Sequence, residues 1–449
     1  MTTTNTQPRM NAPTVTPAVA ATLEPVARAG ACSLPIILGF TFLNSAATGA
    51  TFNGISFVTA TALKYGPIEN GLMGLMLGIT YVIGALGASP AIKALRARFP
   101  SLTARTVLLY VVITAGVLNL FPVLVWILSG AWSDPSIAPK FAWAIWLFVG
   151  LYSTLCGALW PVVESYLSGG RRGEALRSAM GRFNVTWSGS LVVSMCILSP
   201  LQEVATMLPL AVMSLMHIAS LIFLAKLPKE AGAHLHDDAH ETPANYPKLL
   251  RVHRILLPTA YAVMYAMSPM LPQIIASIGL DKTIATPFAA IWLFGRVVAF
   301  FVFERWKSWH GTWVTATWGT ALLLGGFALV VMSPVIAAHA TQVVAQVACG
   351  IGLLFFGFGA AAIYCGALFY ALEVGQAEVD AGGMHEAMIG LGYTVGPLCM
   401  LVPQVLAAPS FVSSTPVIGA DTVSGLTLGL VGLVVGVGVL AAWKFGNRR

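Results

Sequence analysis

Long apolar runs separated by short polar stretches dominate the chain. They fall at residues 35–62, 68–89, 106–130, 141–168, 179–200, 205–225, 255–278, 285–304, 312–333, 341–371, 384–407 and 424–443. Each is close to the roughly 20 apolar residues that a helix needs to cross a bilayer. None alternates apolar with polar positions, so the runs predict helices rather than lipid-facing barrel strands. The run at 179–200 is the most polar, carrying Arg182, Asn184 and Ser188.

The polar stretches set the organisation. The residues ahead of the first run are rich in Thr, Pro and Ala and read as a disordered tail over 1–32; they lack the order of features that a secretory signal peptide shows. The longest polar interruption, "KLPKEAGAHLHDDAHETPANYPKLLRVHR", follows the sixth run. It divides the chain into six runs at 33–225, a linker at 226–254, and six runs at 255–446. His234, His236, Asp237, Asp238 and His240 in that linker could bind a metal, but a solvated linker offers nothing to fix ligand geometry, so no metal site is expected.

Composition strengthens this picture. Of 449 residues 57% are hydrophobic and only 9% charged, and mean hydropathy is +0.81, against roughly a quarter charged residues in soluble domains. The chain therefore reads as an all-α integral membrane protein with twelve transmembrane helices. Charge placement then sets orientation. All but four of the 24 lysines and arginines lie on one side of the alternating topology if both ends are cytoplasmic, the exceptions being Lys64, Lys140, Lys282 and the intramembrane Arg296. The expected location is a plasma membrane such as the bacterial inner membrane. Anionic headgroups account for the net charge of +7 without any nucleic-acid partner. Six cysteines with no CxxC spacing read as apolar packing residues. There is no GxxxxGK[ST] stretch and no compact set of reactive side chains, so neither an ATP-driven pump nor an enzyme is expected, and no cofactor is implied.

A shift of 204 positions superposes Tyr166 on Tyr370, near the end of the fourth run of each half, and Arg182 on Glu386, near the start of the fifth. Halves of similar plan flanking a mid-membrane site are how many secondary transporters are built. On this spacing, on the loop "GALGASPAIKALRARF" between runs 2 and 3 and on its counterpart "GRVVAFFVFERWKSWHG" between runs 8 and 9, the chain resembles the major facilitator superfamily. The first loop keeps Gly84, Gly87, Arg96 and Arg98 of the family's signature but lacks its aspartate, and "GLGYTVGP" sits in helix 11 rather than in helix 5. The resemblance implies two pseudosymmetric six-helix bundles, working as a monomer, that move a small solute by rocking, whether secondary active or facilitative, with or without protons. A receptor or assembly factor derived from such a transporter is the alternative.

The same resemblance places helix 11 beside helix 2 and helix 5 beside helix 8, and it lines the cavity with helices 1, 4, 7 and 10. Glu386 is then expected to meet Arg96 or Arg98, and Arg182 to meet Glu304, as cytoplasmic latches that break on rocking; a helix-end role for Glu386 is the plainer reading. Arg296 stands well inside helix 8, where a charge is expensive unless it faces water, an acid or an anionic substrate; a pair with Glu304 is the structural option. Glu164 is open to pairing with Arg182 or Arg96. Further cavity candidates are Asn44, Asn53, Trp160, Tyr261, Tyr265, Gln273 and Tyr364. Glu164, His385 and Glu386 are the candidates for proton coupling.

Overall fold

A computed structural model describes residues 31–171, 173–232, 243–374, 379–408 and 420–446. The tail up to residue 30 and the histidine-rich part of the linker, 233–242, lie outside the described residues, and with them the tail and metal expectations; of the expected linker 226–254, the last residues are already helical, since α7 begins at Tyr246. The described chain is helical, without a strand among its described residues. A helix satisfies each backbone polar group within its own segment, which is what a chain surrounded by hydrocarbon requires.

In chain order the helices are α1 (Leu34–Ala62), α2 (Pro67–Arg98), α3 (Ala104–Leu128), α4 (Ala142–Ser168), α5 (Gly173–Val204), α6 (Leu208–Leu224), α7 (Tyr246–Met267), α8 (Leu271–Ser277), α9 (Lys282–Ala289), α10 (Ile291–Arg305), α11 (Val314–His339), α12 (Gln342–Glu373), α13 (Val379–Ala407) and α14 (Ala420–Gly446). The seventh span is α7 and α8 in succession. They are joined by a tight turn at Ser268–Met270, where Pro269 and Pro272 deprive the helix of two backbone donors. The eighth span is α9 and α10. Eleven helical segments among the described residues are long and apolar enough to cross a membrane, and α6, at 17 residues, is the short twelfth. Its rise of about 26 Å falls just under the roughly 30 Å hydrocarbon core.

Helix α1 packs on α5 and α6, α2 on α4, and α3 on α6; in the second half α11 packs on α12, α10 on α12, and α7 on α13 and α14. Two seams join these groups, α2 along α13 and α5 against α9 and α10. Glycines permit the closest crossings. A Cβ on Gly78 of α2 would sit 2.5 Å from the Tyr393 carbonyl carbon of α13. Tyr166 and Tyr370 are both fully buried at the ends of α4 and α12. Their hydroxyls tie neighbouring loops, Tyr166 donating to the Pro228 carbonyl at 2.9 Å and Tyr370 accepting from the Gly311 N–H at 3.1 Å.

The helix ends that carry Arg96, Arg105, Arg177 and Arg305 share one end of the bundle, the basic face. There the segment after α6 clamps the α2–α3 loop: Glu230 takes Arg96 at 2.8 Å and the Ala104 N–H at 3.2 Å, and Arg105 reaches the Leu227 carbonyl at 3.1 Å. At the opposite face Asp281 caps α9 by accepting from the Thr283 N–H at 2.8 Å. That bond, with one from the Thr283 hydroxyl, holds the Asp281 carboxyl below the usual range.

Candidate functional site

A chamber of about 100 Å³ lies where both groups of helices meet. Its wall takes Asn53 from α1, Tyr81 from α2, Glu164 from α4, Trp187 from α5, Tyr261 from α7, Arg296 from α10, Tyr364 from α12, and Glu386 and Tyr393 from α13. Spans 2, 5, 8 and 11 therefore contribute alongside the expected 1, 4, 7 and 10. The seam helices cross closely enough, through glycine, to bring their own side chains into the chamber.

Arg296 is the central charge, only 2% exposed. Its guanidinium lies 4.2 Å from the centre of the Trp187 ring, with Tyr364 at 5.5 Å and Phe300 at 5.6 Å. Aromatic faces are electron-rich, so such a cage stabilises a cation held away from water. One terminal nitrogen donates to the Tyr261 hydroxyl at 3.0 Å, and Nε has no hydrogen-bond partner among the described residues. The structural option, a pair with Glu304, is not formed among the described residues. Glu304 is exposed at the last turn of α10, where its carboxyl group faces Gly181 of α5.

The latches drawn from sequence are not formed among the described residues of this structure, whose vestibule opens on the basic face. Glu386 is buried rather than at a rim, and it accepts from the Tyr81 hydroxyl. The physical reason is that α13 begins at Val379, which puts Glu386 about 10 Å along the helix. Arg96 is committed to Glu230, and Arg98 lies 5.8 Å over the Phe99 ring. Arg182 is exposed and makes no ion pair with Glu304 or Glu164 among the described residues. Among the described residues, a bridge that joins the halves on the basic face is Arg177 of α5 with Glu373 of α12, two residues that sequence reasoning did not single out.

The remaining candidates separate cleanly. Trp160, Glu164, Asn53, Tyr261 and Tyr364 line the chamber with Arg296. Asn44 does not; it is fully buried and shares a hydrogen bond of 2.8 Å with His217 of α6, whose other nitrogen meets Tyr152 at 2.8 Å. Tyr265 lies behind the wall, its ring 3.9 Å from that of Tyr393 and its hydroxyl donating to the Phe52 carbonyl at 3.3 Å. Gln273 stands nearer the opposite face and donates to the Tyr65 carbonyl at 3.1 Å. His385 is outside the lining, edge-on to Tyr364 at 5.8 Å.

Tyr81 and Tyr393 were missed. The signal that could have found them is their presence on the two helices of a seam, each within reach of a glycine of the other. Below the chamber, toward the basic face, Trp187, Phe300 and Tyr364 form a triangle with centroids 5.7 to 5.9 Å apart. Beyond it opens a vestibule of about 670 Å³ lined by Arg177, Asn184, Glu304, Arg305 and Glu373 among others. On the opposite face the halves meet through hydroxyl groups, with Ser199 and Thr286 oxygens 2.9 Å apart and Ser56 donating to the Ser268 carbonyl at 3.3 Å.

No protein-family model matches the chain. No curated protein matches it in sequence. In three dimensions it is similar to the crystal structure of a mutant of the nucleoside transporter NupG, with a TM-score of 0.63 at 12% identity over 91% of this chain and 99% of that one. A second structure of NupG gives 0.60 at 13% identity, covering 93% and 100%. An auto inhibited POT family peptide transporter gives 0.61 at 12% identity, covering 93% and 97%. At such identities the likeness establishes the fold alone: the chain shares the helical architecture of these transporter structures.

Proposed function

We propose that the protein is a secondary transporter that carries a small solute across the membrane by alternating access, the two six-helix bundles (33–225 and 255–446) rocking about the central chamber. The observation that carries this reading is the placement of Arg296, Glu164 and Glu386 on one small chamber walled by both halves. Charges this deep are costly in a membrane protein, and their usual use is a solute or ion pathway. The similar folds of a nucleoside transporter and a peptide transporter support the same reading, as does the chamber's completeness within one chain, which suits a monomer.

The charge asymmetry of the sequence supports a cytoplasmic side for both termini, and in this reading the basic face and its vestibule are the cytoplasmic ones. Coupling to protons has a physical basis in the chamber's charge. Two carboxyls face one guanidinium, and neutrality is reached when one carboxyl holds a proton. Glu386 and Glu164 fit that role better than His385, which does not reach the lining.

Alternating access is tested without knowing the solute. In a cysteine-free background, Trp160→Cys and Tyr364→Cys are each challenged with a membrane-impermeant thiol reagent from one side and then the other of proteoliposomes. Both positions are expected to react from both compartments. Labelling from a single compartment under every ion and pH condition would overturn the proposal in favour of a receptor or assembly factor that no longer cycles.

A further inference from the structure

The chamber's charges are arranged in an uneconomical way if their purpose were only to neutralise one another. Arg296 has no carboxylate partner among the described residues; its Nε is unpaired and its faces are covered by rings. Glu164, on the α4 wall, accepts no hydrogen bond at its carboxyl group and takes part in no ion pair among the described residues. Here Tyr261 and the aromatic cage pin the guanidinium on α10, and Glu164 stays on α4, so the two poles face one cavity without touching. Ser45 Oγ, on the α1 wall, is a further buried polar atom with no partner among the described residues.

We propose that the solute is a small zwitterion of the amino-acid type, with an apolar or aromatic side chain. Its carboxylate meets the Arg296 guanidinium, whose planar fork of donors favours a carboxylate. Its ammonium meets Glu164 and the faces of the neighbouring rings, Trp160 among them. The side chain rests on Phe52 and Tyr393. A lone cation would leave Arg296 unpaired beside a second positive charge, an anion would do the same to Glu164, and a neutral solute would leave both unsatisfied; an unpaired buried charge is the costliest of the outcomes. The chamber is small, below the roughly 300 Å³ at which drug-sized pockets begin, which favours a small solute over a peptide. Glu386, held by Tyr81 and left outside this pairing, remains for the proton.

This assignment rests on reading the chamber as the solute site, and its test is kept separate from transport. Binding to the purified full-length protein in detergent is measured by calorimetry and thermal shift with phenylalanine, leucine, phenylalanine amide, N-acetylphenylalanine and uridine. Phenylalanine or leucine is expected to bind at least about tenfold more tightly than the amide, the acetyl derivative or uridine, a difference of about 1.4 kcal/mol. Arg296→Gln is expected to erase the preference for phenylalanine over its amide, and Glu164→Gln to erase the preference over the acetyl derivative. A purely structural role for either residue would weaken all ligands alike. The assignment is overturned if the amide binds as well as phenylalanine, if uridine binds while the amino acids do not, or if neither amino acid binds up to about 10 mM, a binding free energy weaker than about −3 kcal/mol. Amino-acid binding without passage in vesicles would sink the transport reading and leave the ligand class standing. Passage of a different solute would do the reverse.

Discussion

Arg296 shows what a buried charge needs in order to be tolerated. It lies within a hydrophobic span, 2% exposed, and it is stabilised by rings and one hydroxyl rather than by an acid. Tyr261→Phe removes that hydroxyl and nothing else of bulk. The expected outcome is a loss of about 1–3 kcal/mol of stability, the usual worth of a hydrogen bond to a charged group, seen as a lower thermal midpoint of the detergent-solubilised protein. An unchanged midpoint would mean that the aromatic cage alone holds the guanidinium. The depth of Arg296 was legible in the sequence because a lone arginine inside an apolar run is conspicuous. The place of Glu386 was not, since "VDAGG" at 379–383 is too weakly apolar to announce that α13 has already begun. The contact that Arg96 makes here was illegible for a different reason: its partner Glu230 lies 134 positions away in a loop, and no periodicity encodes such a meeting.

At the level of elements, the apolar runs located the helices well because a span's length and continuity are fixed by the bilayer rather than by its neighbours. What they do not encode is how closely two spans approach, which is decided by glycine. On α2, a Cβ at Gly84 would come 2.8 Å from the Thr154 carbonyl carbon of α4, whereas a Cβ at Gly87, one turn on, would meet nothing within 4 Å. The two residues make a matched pair. Gly84→Ala must push α2 from α4 and is expected to lower stability by about 1–3 kcal/mol, the range for overpacking. Gly87→Ala is expected to be neutral or stabilising by up to about 1 kcal/mol, through the reduced freedom of the unfolded chain. Thermal unfolding of the two variants side by side checks this; equal effects would mean that α2 and α4 do not cross at Gly84. The break between α7 and α8 is only partly legible: Pro269 and Pro272 disfavour an unbroken helix, but nothing in the sequence says that a tight turn fills the gap.

For the whole molecule, rocking requires that the contacts joining the halves on the two faces break in turn, and the two faces use different chemistry. The basic face relies on the Arg177 and Glu373 pair, half-screened by the vestibule. The opposite face relies on short-range hydrogen bonds between small side chains, above all Ser199 with Thr286 at 2.9 Å. Arg177 is about a third exposed but Glu373 only 5%, so the pair holds this face more firmly than the roughly 0–1 kcal/mol of a surface pair, and opening requires water to reach the Glu373 carboxylate. The hydroxyl contact is tight enough for a covalent test. Two oxygens so close bring the Cβ atoms near the roughly 3.5–4.5 Å that a disulfide spans. Ser199→Cys with Thr286→Cys, in a background lacking the native cysteines, is therefore expected to crosslink on mild oxidation and to hold that face shut. Solute exchange should stop in the oxidised protein and return on reduction, while a chamber thiol such as Trp160→Cys remains reachable from the basic face alone. If the oxidised protein still exchanged solute, the α5–α9 seam would not be a moving contact, and the halves would have to open along some other line.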